Sequence, residues 1–297
     1  MTYQEFKRQI VLTISNKLGA DFKVSLQDII KNNDTHLDGL TILSKGSNIS
    51  PTIYLNYYYE QYLSGKSLSK IRDDILLSYH KNVPKKNVDI SFFTDFNQVK
   101  NRIIFKLVNY DRNRELLRNV PHIRYLDLAI IFNCYINSTE DGCATILIHH
   151  HHLSFWNIQA DELYRIALKN TPELLQYQLQ NMSDVIRNLF FKDQPLPPID
   201  SVPELPMYVL SNITKLNGSG CILYEDLLSD IAEILNSDFY ILPSSIHEVL
   251  LIPVESASSA EDLSSMVKEI NDTQLSREEI LSDKVYFYSR STGTITM

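Results

Sequence analysis

The chain reads as an α+β protein with mixed, largely antiparallel sheets, flanking helices and two or three subdomains. Short apolar runs come in pairs separated by turn residues, as antiparallel hairpins require. Amphipathic helical patterns fall between pairs of such runs and do not alternate strictly with them. At 297 residues the chain also exceeds what one small core organises comfortably. Its 44% hydrophobic and 22% charged residues fit a well-packed soluble protein and argue against long disorder.

Thr2 and Glu5 form a T-x-x-E capping box, and Phe6, Ile10, Ile14 and Leu18 follow at four-residue spacing until Gly19, which predicts a first helix. Residues 22–30 and 39–43 flank a polar tip around Asn32, Asn33 and Asp34 and read as a hairpin. An extended stretch over 51–55 is followed by Tyr57, Tyr58, Tyr59 and Tyr62, whose rings are expected to pack with their hydroxyls at the surface. Ser67 then caps a helix carrying Leu68, Ile71, Ile75 and Tyr79 on one face.

Beyond Val83 and Pro84, residues 103–108 predict a strand and 112–118 a short basic helix. Leu126, Leu128, Ile130, Phe132, Cys134 and Ile136 share one face of a strand over 125–136, which the turn at 137–142 pairs with 144–148. A helix is expected over 161–169, a second from an N-cap at Thr171 with Pro172 in its first position, and a third capped by Ser183. Pro195, Pro197, Pro198, Pro203 and Pro206 then mark a linker. After it come strands over 207–210 and 221–224, a helix over 226–235, strands over 239–242 and 249–252, a helix capped by Ser259, and a closing hairpin across Gly293. The expected organisation is thus an N-terminal α+β region (1–82), a central hairpin and helices (83–193), a Pro-rich linker (194–206) and a C-terminal α+β domain (207–297).

Charge is unevenly distributed. Residues 1–120 hold 18 Lys+Arg against 12 Asp+Glu, whereas 121–297 hold 10 against 24, so a net charge of −8 conceals halves of +6 and −14. Between Lys81 and Arg118 there are nine basic and four acidic residues with Phe105 and Tyr110 among them, a pattern that can track a phosphate backbone. The acidic whole weighs against nucleic acid and favours a solvated face. Cys134, Cys143 and Cys221 are odd in number and widely spaced, so reduced thiols are expected. Met1-Thr2-Tyr3-Gln4-Glu5 lacks the start of a signal peptide, and no apolar run has the length of a membrane span, which together predict a cytoplasmic chain with no membrane partner.

The stretch around which the rest is organised is 237–254. Its two apolar runs predict strands buried on both faces, and between them lie Pro243, Ser244, Ser245, His247 and Glu248. Polar side chains held between buried strands are the best candidates for a ligand site, so Ser244, Ser245, His247 and Glu248 are expected to line one. In extended chain Ser245 and His247 share a face and Glu248 points away, which separates the histidine from its nearest carboxylate.

Two further constellations carry chemistry. Cys221 follows Gly218-Ser219-Gly220 and precedes His247 by 26 residues, so a thiol nucleophile and a base meet if their segments are neighbours. The plainer reading is a buried structural cysteine. His149 to His152 are four adjacent imidazoles, and an extended chain places His149 and His151 on one face as a metal-chelating pair. No carboxylate or thiol completes such a set at ligand spacing, so no metal is expected. Phosphate-cradling glycine loops, nucleophile elbows and H-E-x-x-H are all missing, so no cofactor is expected either.

The motifs over 49–55, over 144–149 with Leu153 and Trp156, and over 241–249 together resemble the bacterial family called domain of unknown function 5688, from near Met1 to about Tyr288. The run His149–His152 departs from that family by being richer in histidine. The resemblance implies a bacterial, cytosolic protein and supplies no activity, substrate or catalytic residue. The function that follows is a binding or interaction module for a protein or small molecule, with a thiol-dependent hydrolase or transferase using Cys221 and His247 as one alternative. Nucleic-acid binding through the basic 81–118 region is another.

Overall fold

A computed structural model describes residues 1–84, 87, 91–139, 142–190 and 206–297. The chain is an α+β protein with three antiparallel sheets, and it divides into two compact units, Met1–Lys31 with Thr35–Ser91, and Asn32–Asp34 with Phe92–Met297.

In the first unit, α1 (Tyr3–Leu18) opens on the Thr2/Glu5 capping box and closes at Gly19, whose φ of 79° suits a residue without a side chain. The hairpin β1 (Phe22–Lys31) and β2 (Thr35–Ser44) pairs over its whole length, and β3 (Thr52–Tyr54) adds an edge. The tyrosine-rich stretch forms α2 (Leu55–Leu63), and α3 (Leu68–Asn82) starts at the Ser67 cap. Phe6, Ile10 and Ile14 of α1 meet Leu40, Ile42 and Ile53 of the sheet and Ile71 and Ile75 of α3 in one core. Tyr59 and Tyr62 pack on Phe6 with ring centroids 5.2 and 5.6 Å away and Tyr58 joins the same core, so these three rings serve packing as expected, whereas Tyr57 is exposed.

The second unit begins with α4 (Phe96–Val99), β4 (Ile103–Asn109), α5 (Arg114–Leu117), β5 (His122–Tyr125), β6 (Leu128–Thr139) and β7 (Gly142–Leu147). Strand β6 is the axis of a four-stranded sheet, pairing β4 along one edge and β5 then β7 along the other. Leu126 does not join its apolar face: it sits at φ 55° in the tight β5–β6 turn, so the strand expected from residue 125 begins three residues late.

Two helices follow, α6 (His150–Trp156) and α7 (Ala160–Leu174). Thr171 and Pro172 lie inside α7 and do not start a new helix. Thr171 Oγ1 donates to Ala167 O at 2.6 Å and accepts from Phe105 N at 3.1 Å, which locks the last turn against β4 although Pro172 lacks the N–H for an i to i−4 bond there. The chain then forms β8 (Tyr177–Asn181), which the sequence reading missed, and α8 (Met182–Phe190). Ser183 is not the cap of α8; its N–H donates at 2.8 Å to the Asn181 side chain, which does the capping. The expected linker falls, but for Pro206, outside the described residues. Strand β9 (Tyr208–Asn212) beyond it pairs with β8 before it.

The expected strand over 221–224 is instead a 3-10 turn, Gly218–Leu223. A side chain at Gly218 would lie 2.2 Å from Ser211 Oγ and 2.5 Å from His247 O, so this backbone approaches its neighbours more closely than a strand with a Cβ at that point can. The rest is α9 (Leu227–Leu235), β10 (Phe239–Leu242), β11 (Val249–Pro253), α10 (Ala260–Thr273), β12 (Tyr286–Ser289) and β13 (Thr294–Thr296). They complete a six-stranded sheet in the order β13-β12-β10-β11-β9-β8.

Alternation along these strands separates two faces. Leu210, Val249, Leu251, Phe239 and Ile241 point into the main core with Phe105, Phe132 and Leu163. Leu242 and Ile252 point the other way, onto Leu263 and Val267 of α10. Leu250 on that second face is only half-buried, whereas Leu251 is fully enclosed, so the expectation of burial on both faces holds for β11 only in part. Truncating Leu251 to alanine is expected to cost about 2–5 kcal/mol. Urea denaturation should show a much smaller loss for Leu250→Ala, and equal losses at the two positions would contradict the assignment of faces.

Candidate functional site

The connection from β10 to β11 is buried, and a buried connection must pair its backbone groups internally. Pro243 O accepts from Ser282 N at 2.9 Å and Ser244 O from Leu281 N at 2.8 Å, and Ile246 N donates to Glu279 O at 2.9 Å. From the other side, Ser219 gives both its N–H (3.3 Å) and its hydroxyl (2.8 Å) to Ile246 O, and Ser211 Oγ donates to His247 O at 2.7 Å. The chain therefore bends here and does not continue as a strand, and Ser245 makes only an isolated bridge to Ile280.

The same accounting takes up the side chains of two of the four expected site residues, Ser245 and His247. Ser245, 2% exposed, accepts the His247 N–H on its hydroxyl at 2.9 Å, and Ser244 is buried beside it. His247 accepts from Asn217 N on Nδ1 at 3.4 Å, and its Nε2 is 4.0 Å from Glu279, the carboxylate facing it in place of Glu248. Glu248 turns the other way, onto the second face of the sheet, and has no ion-pair partner among the described residues.

There Glu248 lines a cavity of about 260 Å³. Its floor is one face of three strands, Gln178 and Gln180 of β8, Val209 and Ser211 of β9, and Leu250 of β11. Met182 and Val185 of α8 form a wall, and Lys215 stands at the rim. The β8–β9 register, Gln178 opposite Ser211 and Gln180 opposite Val209, puts the two amides side by side with this row. The chemistry available is one carboxylate, one ammonium and two amides over an apolar bed. Sequence reasoning found Glu248 but not Gln178, Gln180 or Lys215. The alternation Tyr-Gln-Leu-Gln over 177–180 was the available signal, obscured by the helix expected from Thr171.

A family model described as a family of unknown function (DUF5688) matches residues 3–290. The chain belongs to this family. Neither the comparison with curated proteins nor that with solved structures returned a match.

Cys221 of this DUF5688 member sits in the 3-10 turn, fully buried, and burial pushes its thiol up to about 12. The turn bonds the His247 segment through Ser219 and Asn217, yet no hydrogen bond joins the thiol to the His247 ring. Cys134 is likewise buried, its thiol pushed up to about 11, chiefly by desolvation.

The histidine run is not extended. Only His149 is, while His150 to His152 form the first turn of α6, where His149 N donates to His152 Nδ1 at 3.0 Å. His149 and His151 still stack, with ring centroids 5.5 Å apart, and His152 packs against Phe93 and Trp156. Among the described residues no group of three or more His, Cys, Asp or Glu side chains is arranged to hold a metal ion.

The basic 81–118 region is dispersed. Arg112 pairs with Asp283 at 2.5 Å, Arg114 pairs with Asp111, and Arg102 lies over the Phe92 ring. Lys85 and Lys86 lie outside the described residues. Among the described residues no helix is long and apolar enough to cross a membrane.

Burial, reinforced by His151 and His149, lowers the His152 imidazole to about 4 from an ordinary 6.5. The folded state therefore favours the neutral ring. Its contribution to stability is present above pH 6.5 and is lost as pH falls through the folded value. Thermal melts should fall between pH 6.5 and 4, and His152→Asn, which keeps an acceptor for the His149 N–H, should flatten that fall. An identical acid profile in the variant would contradict the assignment.

Proposed function

We propose that this DUF5688 member is a cytoplasmic binding module that takes a small ammonium-bearing molecule, of the amino acid or dipeptide class, in the cavity beside Glu248. One observation carries the reading: Ser245 and His247 are held by internal hydrogen bonds and Ser244 is buried, whereas Glu248 lines a cavity. A half-buried carboxylate without a counterion favours a cationic partner group. Lys215 at the rim suits the ligand's carboxylate, and the Gln178 and Gln180 amides offer both donors and acceptors to its polar backbone. The volume lies just below the usual range for drug-sized ligands, which supports a small guest. The raised thiol of Cys221 supports binding over thiol catalysis, and the free cysteines are consistent with a reducing compartment.

The experiment is a thermal-shift panel of free amino acids and dipeptides on the full chain. A ligand at a hundred times its Kd adds about 2.7 kcal/mol, a rise of roughly 4 °C for a chain of this size. We expect at least one such ligand, with the shift lost in Glu248→Gln. A panel without effect, or a shift that survives that substitution, would refute the proposal.

A further inference from the structure

A second cleft, on the opposite charge logic, lies between α7 and the short turn before β4. It is an open cleft of about 360 Å³ that brings together Lys100, Arg165 and Lys169, with Glu162 as the one carboxylate and Ile166, Asn101 and Asn170 completing the lining. Two of these three cations, Arg165 and Lys169, belong to residues 121–297, which carry net −14.

What marks the cleft is how those cations are left. Asp161 and Glu162 stand four and three residues before Arg165, and Glu173 four residues after Lys169, spacings at which helical ion pairs form readily. None of these carboxylates pairs with Arg165 or Lys169 among the described residues, and Lys100 bonds only the neutral Asn97 side chain, at 3.3 Å. Arg165 and Lys169 are themselves like charges one turn apart, an arrangement that costs a helix stability unless an anion lies between them. The floor is rigid: the buried Asn170 amide donates to Lys100 O at 2.7 Å and to Ile103 O at 3.1 Å, which fixes the Lys100 turn against α7. The positive groups thus come from two elements held at a set distance.

We propose that this cleft binds the phosphate group of a small phosphorylated molecule. A guanidinium flanked by two ammonium groups matches a dianionic phosphate, the arginine by its bidentate fork and the lysines as point charges. Glu162 and Asn101 at the border are placed to accept and donate hydrogen bonds to hydroxyls on the body of the ligand. An open cleft of this size suits a phosphate with a sugar-sized body, whereas a polymer requires cations along a stripe. The site is separate from the Glu248 cavity, sharing no lining residue with it.

The test is calorimetric titration of the full chain with pyrophosphate and with ribose 5-phosphate, in wild type, in the Arg165→Gln/Lys169→Gln double variant, and in Glu248→Gln. Both replaced cations are exposed, so the double variant should melt as wild type does without ligand. We expect saturable binding of at least one phosphate probe, weakened at least tenfold in the double variant and unchanged in Glu248→Gln. Absence of saturable binding, or binding indifferent to the double substitution, would overturn the proposal. So would a single-stranded oligonucleotide of twelve thymidines binding more tightly than either small probe, since the cleft would then belong to a polymer surface.

Discussion

A buried chain reversal has to satisfy its own backbone, and the segment from Pro243 to His247 does so by recruiting two distant parts of the chain. On one side it holds Glu279, Leu281 and Ser282; on the other, Ser211, Asn217 and Ser219. Those partners are in turn fixed. Leu281 O and Ser282 O accept from the Asn109 and Asn271 side chains, both at 2.9 Å, while Asp127 accepts from the Ser282 hydroxyl at 2.7 Å and from Tyr286 at 2.5 Å. Burial and the Asp127 carboxylate both raise the Tyr286 phenol, keeping it a donor. Strand β10, the α10–β12 connection and the turn after β9 are thereby joined through polar groups, in a region whose side chains are otherwise apolar. Leaving one of these donors or acceptors unpaired costs about 1–3 kcal/mol, enough to make the arrangement specific.

That constraint also shapes the candidate chemistry. Ser245 and His247, which looked most like a site, are consumed in closing the bend, and Ser244 is buried in it. Gly218 belongs to the same constraint, since only a residue without a Cβ lets the 3-10 turn come within reach of His247 O. The carboxylate one residue beyond the bend faces the other way, where β8 and β9 extend the sheet past the reach of α10. The free charge at Glu248 and the cavity beside it are thus by-products of how the reversal is closed.

Local pattern carried much of this fold. Helix caps at Thr2, Ser67 and Ser259, the first hairpin, and the two central strands were legible because each depends on residues close in sequence. The failures share a cause. Thr171 resembles a cap but bonds backward to Ala167 and across to Phe105; Cys221 has the residues of a strand but lies where Gly218 must approach two other segments; the histidines look extended but bond among themselves. In each case a tertiary contact outweighed local preference. The phosphate cleft was invisible for the same reason, Lys100 being 65 residues from Arg165 along the chain.

Amide hydrogen exchange addresses the central claim most directly, because it reads the bend's own N–H groups. If the reversal is a closed, internally paired structure, the amides of Ser219, Ile246, Leu281 and Ser282 should exchange only on unfolding of the unit that contains them, as slowly as those of β10 and β11. Exchange of these four on the timescale of exposed loops, with the strands still protected, would contradict the account.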